Sequence, residues 1–509
     1  MPNQYTSKYL KIYSWQGISL ILNFLSMFIV IPYLTKEPSI YGIYTVCISI
    51  SIFLAYADLG FIGAGQKYAA ENYARGEREG EIRIVGFTSF ILLVFVLLLM
   101  ILFLYLGVNP QALLKNLDTP NKVSVASELL LILTCFAPVT VLQRMSQMIF
   151  GIRLDDYINQ RVFCVANLIK ILSVLYFFRN GHYLIVEYFL FSQIVNVFSN
   201  IISLIIAKNK YKYNFKLLIS SMRFDFQIFR KVNKLAFSSL FLTIMWILYY
   251  ELDTIAIGKF LGAEKVAIYA IGLTMLSFSR GILGILFSPF NARFNHFIGQ
   301  QNIEGLKNFS LQVVKLTAPV VIIPIIALTL IAKPLVLSWV GVSFVESVGI
   351  ARFLLICNIF AFISYPVSML LMAQEKIKQM YVINSIIPIV YWVGIIWSYS
   401  FWGLQSFAIF KFLAFMIPMI YYFFYLLKFI NISFISLLNK VFKPLVIPII
   451  FLITSLLLIN GYLPCAKSKI NLLMVIGTTS IIIIGTFLIQ YLVSSDIRAN
   501  SKILLTSFK

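Results

Sequence analysis

Six basic side chains lie inside stretches that are otherwise apolar: Arg144, Lys170, Arg280, Lys315, Arg352 and Lys411. A charge at the centre of a bilayer costs about 2.5–3.5 kcal/mol on insertion scales, so a chain that keeps one must turn it toward a wet or paired interior. Arg offers a planar fork of donors to phosphate oxygens, and Lys a compact point charge. An interior lined with such groups attracts an anion. Arg280, near the middle of its stretch, is the leading binding candidate, followed by Lys170, Arg352, Lys411 and Arg144. Lys315, near an edge, reads as a long stem snorkelling to the interface. For every one of them the plain structural alternative is a buried charge paired with a carboxylate or a carbonyl. Three carboxylates sit at comparable depth: Asp58, inside Ala57-Asp58-Leu59-Gly60, and Glu251 and Asp253. Each is a candidate to pair with a cation or to carry a coupling proton or sodium ion.

Other chemistry finds no support. The chain has only two histidines, His182 and His296, far apart in sequence, and no spacing that would hold zinc. No phosphate-cradling glycine loop and no nucleophile elbow occurs. Four of the five cysteines (Cys47, Cys135, Cys164 and Cys357) fall in apolar stretches, none makes a Cys-x-x-Cys pair, and they read as small buried residues. No polar segment is long enough to hold a catalytic domain. The reading is therefore a protein that is not an enzyme and needs no metal or cofactor.

The elements that position these residues follow from composition. Of 509 residues, 60% are hydrophobic and only 12% charged, with a mean hydropathy of +0.91. A soluble fold cannot hide that much apolar surface. The apolar residues also come in runs of about 20, the length that crosses a hydrocarbon core as a helix. The sequence predicts an all-α polytopic membrane protein with about 14 spans, near 13–35, 40–64, 84–107, 124–150, 158–178, 183–207, 235–258, 264–290, 309–332, 347–373, 379–400, 403–427, 441–460 and 471–494. The first run is too long for a cleaved signal and reads as a retained span. With the N-terminus inside, inner segments hold 26 Lys and Arg against 9 outside. That bias predicts cytoplasmic termini on both ends. It also accounts for the net charge of +22 without nucleic acid.

The largest basic block, Lys208–Lys234, interleaves aromatics with cations. It reads as an interfacial segment on anionic lipid, or as a docking site for a cytoplasmic partner. Its position implies two six-helix lobes. Residues 34–44 (LTKEPSIYGIY) and 261–269 (LGAEKVAIY) support such a repeat: each has a short connection with Glu37 or Glu264, then an Ile-Tyr pair opening an even-numbered span. The expected division is an N-terminal lobe 1–207, a basic linker 208–234, a C-terminal lobe 235–430, and two extra spans with a tail in 431–509. Transporters built from parallel repeats bind cargo where the halves meet. Prolines inside spans (Pro138, Pro289, Pro319, Pro324, Pro366, Pro388 and Pro418) are expected to kink helices.

Three segments carry a family resemblance. YGIYTVCISISIFLAYADLGFIGAGQKYAAENYARGE (41–77), ELDTIAIGKFLGAEKVAIYAIGLTML (251–276) and SWVGVSFVESVGIARFLLICNIFAF (338–362) resemble bacterial polysaccharide transporters of the O-antigen flippase type. That family belongs to the multidrug/oligosaccharidyl-lipid/polysaccharide exporter superfamily. The resemblance implies translocation of a lipid-linked oligosaccharide, usually on undecaprenyl pyrophosphate, across the bacterial cytoplasmic membrane by alternating access. It also implies a glycan polymerase or assembly complex as a candidate partner, and an anionic headgroup for the span cations to hold. Two relatives of the superfamily compete. A multidrug/cation antiporter often carries an acid in its first span, and Ser14–Thr35 has none. A lipid II flippase typically has charges early in that span, also absent here. A non-transporting scaffold for glycan assembly would leave the buried cations without a task.

Overall fold

The computed structural model describes residues 2–179, 182–494 and 498, and among these it is built of helices without a strand. Two compact units divide the chain, Met1–Ala267 and Ile268–Lys509. The first holds α1 (Pro2–Leu34), α2 (Pro38–Tyr56), α3 (Phe61–Ala74), α4 (Arg78–Val108), α5 (Pro120–Phe136), α6 (Val139–Ile152), α7 (Asp156–Phe177), α8 (Ile185–Tyr211), α9 (Phe215–Ser220), α10 (Phe226–Tyr250) and α11 (Leu252–Leu261). The next helix, α12 (Ala263–Gly299), starts in the first unit and continues into the second. There follow α13 (Ile303–Leu330), α14 (Ala332–Val340), α15 (Ser347–Ile356), α16 (Ala361–Ala373), α17 (Ile377–Trp402), α18 (Leu404–Ile430), α19 (Phe434–Leu437), α20 (Val446–Asn460) and α21 (Lys469–Val493). By length and composition twelve helical segments can cross a membrane, and two bent pairs bring the number to 14, the number expected.

The bent pairs are α5 with α6 (45°) and α15 with α16 (47°), the fourth and tenth spans. Within a bilayer a broken helix leaves carbonyls and amides with no water to answer them. Here tight turns answer them instead. At the first bend Ala137 N bonds to Thr134 O, and Thr140 N to Ala137 O, around Pro138. At the second, Asn358 N bonds to Leu355 O, Ile359 N to Ile356 O and Ala361 N to Asn358 O. These three-residue bonds tighten the last and first turns so that few backbone groups are orphaned. A third break separates α2 from α3 at Asp58-Leu59-Gly60. Leu59 and Gly60 both take positive φ, 49° and 79°. A Cβ at Gly60 would also come within 2.5 Å of the Ala236 carbonyl oxygen on α10, so glycine is the residue that fits.

The seventh span, α10 with α11, packs within the first unit, later in the chain than the division at residues 208–234 expected from the repeat. Phe61 stacks on Phe229 with ring centroids 5.9 Å apart and meets Phe237 edge-on. Lys259 Nζ donates to the Ala112 carbonyl at 2.7 Å. The basic block is also more structured than a linker: Lys208–Tyr211 complete α8, and Phe226–Lys234 begin α10. Between them α9 lies on α4 so closely that a Cβ at Gly86 would fall 2.7 Å from Ser221 Cβ. In the second unit, the two C-terminal spans pair with each other and pack on α13, and α21 also meets α14.

One ion pair gathers four helix ends in the first unit. Arg153, just past α6, reaches Glu81 in the first turn of α4 at 2.7 Å, and both side chains are almost fully buried. Arg153 also donates to the Ile149 carbonyl at 2.8 Å. The rings of Tyr73 (α3), Tyr211 (α8) and Tyr213 surround its guanidinium, with centroids 4.7, 4.8 and 5.3 Å away. Guanidinium over tyrosine faces is attracted by the ring quadrupole, most strongly when water is excluded. Burial, and then the Glu81 charge, push the Tyr213 hydroxyl well above its ordinary range, so it keeps its proton. Beside this cluster Asp155 takes Lys210 at 2.8 Å and the Tyr211 hydroxyl at 2.6 Å. Removing one member of a buried pair strands the other charge, at about 3–5 kcal/mol, whereas an apolar pair of similar volume can be neutral. Arg153→Met or Glu81→Leu alone is expected to lower the thermal midpoint of the detergent-purified protein sharply. The double variant is expected to recover most of that loss. Equal midpoints for the single variants and the parent would show that the pair contributes nothing.

Candidate functional site

The sequence-predicted cations separate into distinct environments. Lys411, in the first half of α18, is fully buried. Its ammonium lies 5.4 Å from the centre of the Tyr391 ring (α17) and 5.9 Å from that of Tyr269 (α12). Both tyrosines are themselves buried, and Tyr269 meets Phe407 edge-on at 6.3 Å. Arg280 occupies the middle of α12 and is partly exposed. Its neighbour Ser279 accepts a hydrogen bond of 2.8 Å from the side-chain amide of Asn358, in the bend between α15 and α16. The adjoining residue of that bend, Cys357, lies within electrostatic range of both Arg280 and Lys411. Three elements thus bring two of the five binding candidates into one neighbourhood: α12, the α15–α16 bend and α18. All of it belongs to the second unit.

The charge content of that unit is one-sided at depth. Between residues 268 and 494 the carboxylates are Glu304, Glu346 and Glu375. Glu304 opens α13, Glu346 precedes α15 and Glu375 lies in the turn after α16, so all three stand at helix ends. The unit itself supplies no acid at the level of Arg280 or Lys411. Chemically, this is a neighbourhood disposed to hold an anion and to reject a cation.

The remaining candidates are placed differently. Lys170 (α7) donates to Asn196 Oδ1 (α8) at 2.6 Å, in the first unit. It heads a polar stripe along α8, Gln193, Asn196, Asn200 and Ser203, whose spacing of three and four keeps one helical face. Arg144 (α6) donates to the Ala55 carbonyl at 2.7 Å and to Gln147 at 3.0 Å. Ala55 is next to last in α2, so Arg144 answers a carbonyl freed by the α2–α3 break. Asp58, in that break, accepts from the Ile62 amide at 3.0 Å and feels the Arg144 charge. The two residues hold opposite sides of one helix interruption. Arg352 is exposed on α15. Asp253 is fully buried at the start of α11, where its carboxylate accepts from the Thr254 amide (2.7 Å) and hydroxyl (3.3 Å). Glu251 sits at the α10–α11 junction, one residue after Tyr250, whose ring stacks on Trp246 at 4.7 Å. No cluster of three or more metal-ligating side chains occurs among the described residues.

Two features have little or no signature in the sequence. The Glu81–Arg153 pair joins residues 72 positions apart, and Arg153 reads as an ordinary loop cation. The only local signal is the Tyr211-Lys212-Tyr213 run. Asn358 and Ser279 do not stand out because uncharged polar residues carry no large depth penalty.

No protein-family model matches the chain, and no curated protein matches it in sequence. Its fold does match solved structures. Lipid II flippase MurJ, in an inward closed conformation, superposes with a TM-score of 0.64 over 96% of this chain and 99% of that one, at 14% identity. A MATE family multidrug resistance transporter of the MOP superfamily, inward-facing, gives 0.60 over 82% and 94%, at 13% identity. A MOP superfamily transporter from Pyrococcus furiosus, described as having a binding pocket of reverse polarity and a different function, gives 0.55 over 83% and 95%, at 15% identity. At these identities the likeness is one of fold.

Because Arg144 holds a backbone carbonyl, Arg144→Ala is expected to act mainly on stability. Loss of a charge-assisted hydrogen bond corresponds to about 1.5–3 kcal/mol. Thermal unfolding should report that loss, and an unchanged midpoint would show that the Ala55 carbonyl contact contributes nothing.

Proposed function

We propose that this chain is a flippase that moves a polyprenyl-pyrophosphate-linked oligosaccharide, of the O-antigen or capsule repeat type, across the bacterial cytoplasmic membrane by alternating access. The observation that carries this reading is that Arg280 and Lys411 lie on α12 and α18, the first beside the residue that Asn358 of the α15–α16 bend holds and the second on the helix packed against α15 and α16, in a unit whose carboxylates between residues 268 and 494 stand at helix ends. Pyrophosphate is the portion of such a cargo that a low-dielectric slab rejects most, and a pair of cations would hold it. Arg280, partly exposed, makes first contact through its fork of donors. Lys411, behind Tyr269 and Tyr391, becomes available when those rings separate. Arg352 is a secondary contact in the same unit, and Lys170 is a separate candidate within the first unit. The likeness of its fold to that of a lipid II flippase supports a lipid-linked cargo.

Asp58, Glu251 and Asp253 remain as candidates for a coupling ion, all in the first unit. Asp253 is the foremost of them because it is fully buried. The fold is equally that of multidrug transporters of the MATE family, and a buried carboxylate suits a cation-coupled antiporter. The sign of charge in the second unit's spans argues against a cationic cargo. Both termini are expected on the cytoplasmic side, and a polymerase or assembly complex would receive the cargo outside.

Purified protein in proteoliposomes, given a lipid-linked pyrophosphate oligosaccharide, tests the reading. The readout is the fraction of glycan that becomes accessible to an added glycosidase. The parent should transport it, Arg280→Ala should slow transport at least about tenfold, matching loss of a charge-assisted contact, and Arg280→Lys should retain some activity. Full activity in Arg280→Ala removes the phosphate role of that residue. Export of a cationic dye with no movement of the glycan lipid would give the antiporter reading.

A further inference from the structure

A second cationic cavity lies apart from the Arg280–Lys411 neighbourhood, at the end of the second unit where α16 gives way to α17 and α18 finishes. It measures about 470 Å³ and is lined by Lys376, Gln379, Tyr421, Phe424, Tyr425 and Lys428 among others. Its lining contains no carboxylate. Lys376 is held in place: its ammonium donates to the Tyr425 hydroxyl at 2.7 Å and lies 4.9 Å from that ring's centre. The Tyr425 hydroxyl in turn donates to Gln374 at 2.5 Å. Tyr421 stacks on Tyr425 with centroids 6.1 Å apart, which makes an aromatic wall.

Two apolar stripes run along the helices from this cavity. On α18, Leu413, Ile417, Ile420 and Phe424 are exposed at spacings of four, three and four. On α17, Val382, Ile386, Ile389 and Val393 repeat the same spacing. The two helices pack on each other. Such stripes on a membrane span face hydrocarbon. We propose that this cavity is a binding site for a phospholipid of net negative headgroup, drawn from the leaflet on the Lys/Arg-rich side. Lys376 and Lys428 hold the phosphate, and the stripes of α17 and α18 receive the acyl chains. A free anion would satisfy the two lysines but would make no use of Phe424 or the stripes above it.

The first unit shows what a comparable cavity looks like without this disposition. There a space of about 320 Å³ is lined by Arg78, Arg153 and Lys212, but also by Glu79 and Glu81. Arg153 is committed to Glu81 at 2.7 Å, and Glu79 stands 3.6 Å from Arg83. Two acids stand among its three cations and one of them holds Arg153, whereas the lining of the α17–α18 cavity has no acid.

Native mass spectrometry of the detergent-purified protein, titrated with phosphatidylglycerol or phosphatidylcholine, tests the site. The parent should retain phosphatidylglycerol in preference to phosphatidylcholine. The Lys376→Gln/Lys428→Gln variant should lose that preference by roughly twenty-fivefold, from about fivefold per lysine near a membrane surface. A Lys440→Gln/Lys443→Gln variant, altered outside the cavity lining, should bind like the parent. Phe424→Ala should weaken a long-chain lipid more than its dihexanoyl analogue. Both lysines are exposed, so thermal midpoints near the parent's are expected, and Lys428→Gln alone gives the same test at smaller amplitude. Equal retention of the two lipids, or no change in the Lys376/Lys428 variant, overturns the proposal. Displacement of phosphatidylglycerol by millimolar inorganic phosphate overturns it in favour of a free-anion site.

Discussion

A bilayer allows a helix to break only where something within the protein answers the backbone groups set free. That constraint organises this molecule. The α2–α3, α5–α6 and α15–α16 interruptions are each bridged by short-range turn bonds. Two of them are further held by side chains: Asp58 and Arg144 on either side of the first, and Asn358 to Ser279 at the last. Polar and charged residues gather at these places because the interruptions need them. The bend containing Cys357 and Asn358 shows this, since the Asn358 side chain ties it to α12 beside Arg280.

Charges in the two units are managed by opposite means. The first unit pairs its buried cation Arg153 with Glu81 and wraps it in tyrosines, so that four helix ends meet around a neutral whole. The second holds Lys411 between two tyrosine faces and has no acid at that depth. A cation over aromatic rings is stabilised more weakly than one against a carboxylate. The same contrast separates the two cavities at the helix ends, one supplied with acids and one without.

Fold class was legible because hydrophobic run length is a direct consequence of bilayer thickness. The 14 spans and the seventh-to-eighth connection follow from the sequence, but a single span through 40–64 was expected where the structure breaks the helix at Asp58-Leu59-Gly60. Which cations serve structure was not legible. Arg144 and Arg280 look alike in sequence, yet one holds the Ala55 carbonyl and the other stands by the Cys357 bend. Helix rotation decides such matters, and it is set by packing partners that lie dozens of residues away. The first-unit position of α10 and α11 was hidden for the same reason. It follows from Phe61 on Phe229 and from Lys259 on Ala112, contacts that no local pattern announces.

The two C-terminal helices lie on α13 and α14, and the Ser468 amide bonds to the Ser338 carbonyl at 3.2 Å. Their partners are synthesised well over a hundred residues earlier. Until the ribosome delivers α20 and α21, the outer side of α13 and α14 is covered by lipid alone. That side of the second unit is completed only once α21 has been made. A chain stopped before α20 would leave that side of α13 and α14 without the helices that pack on it.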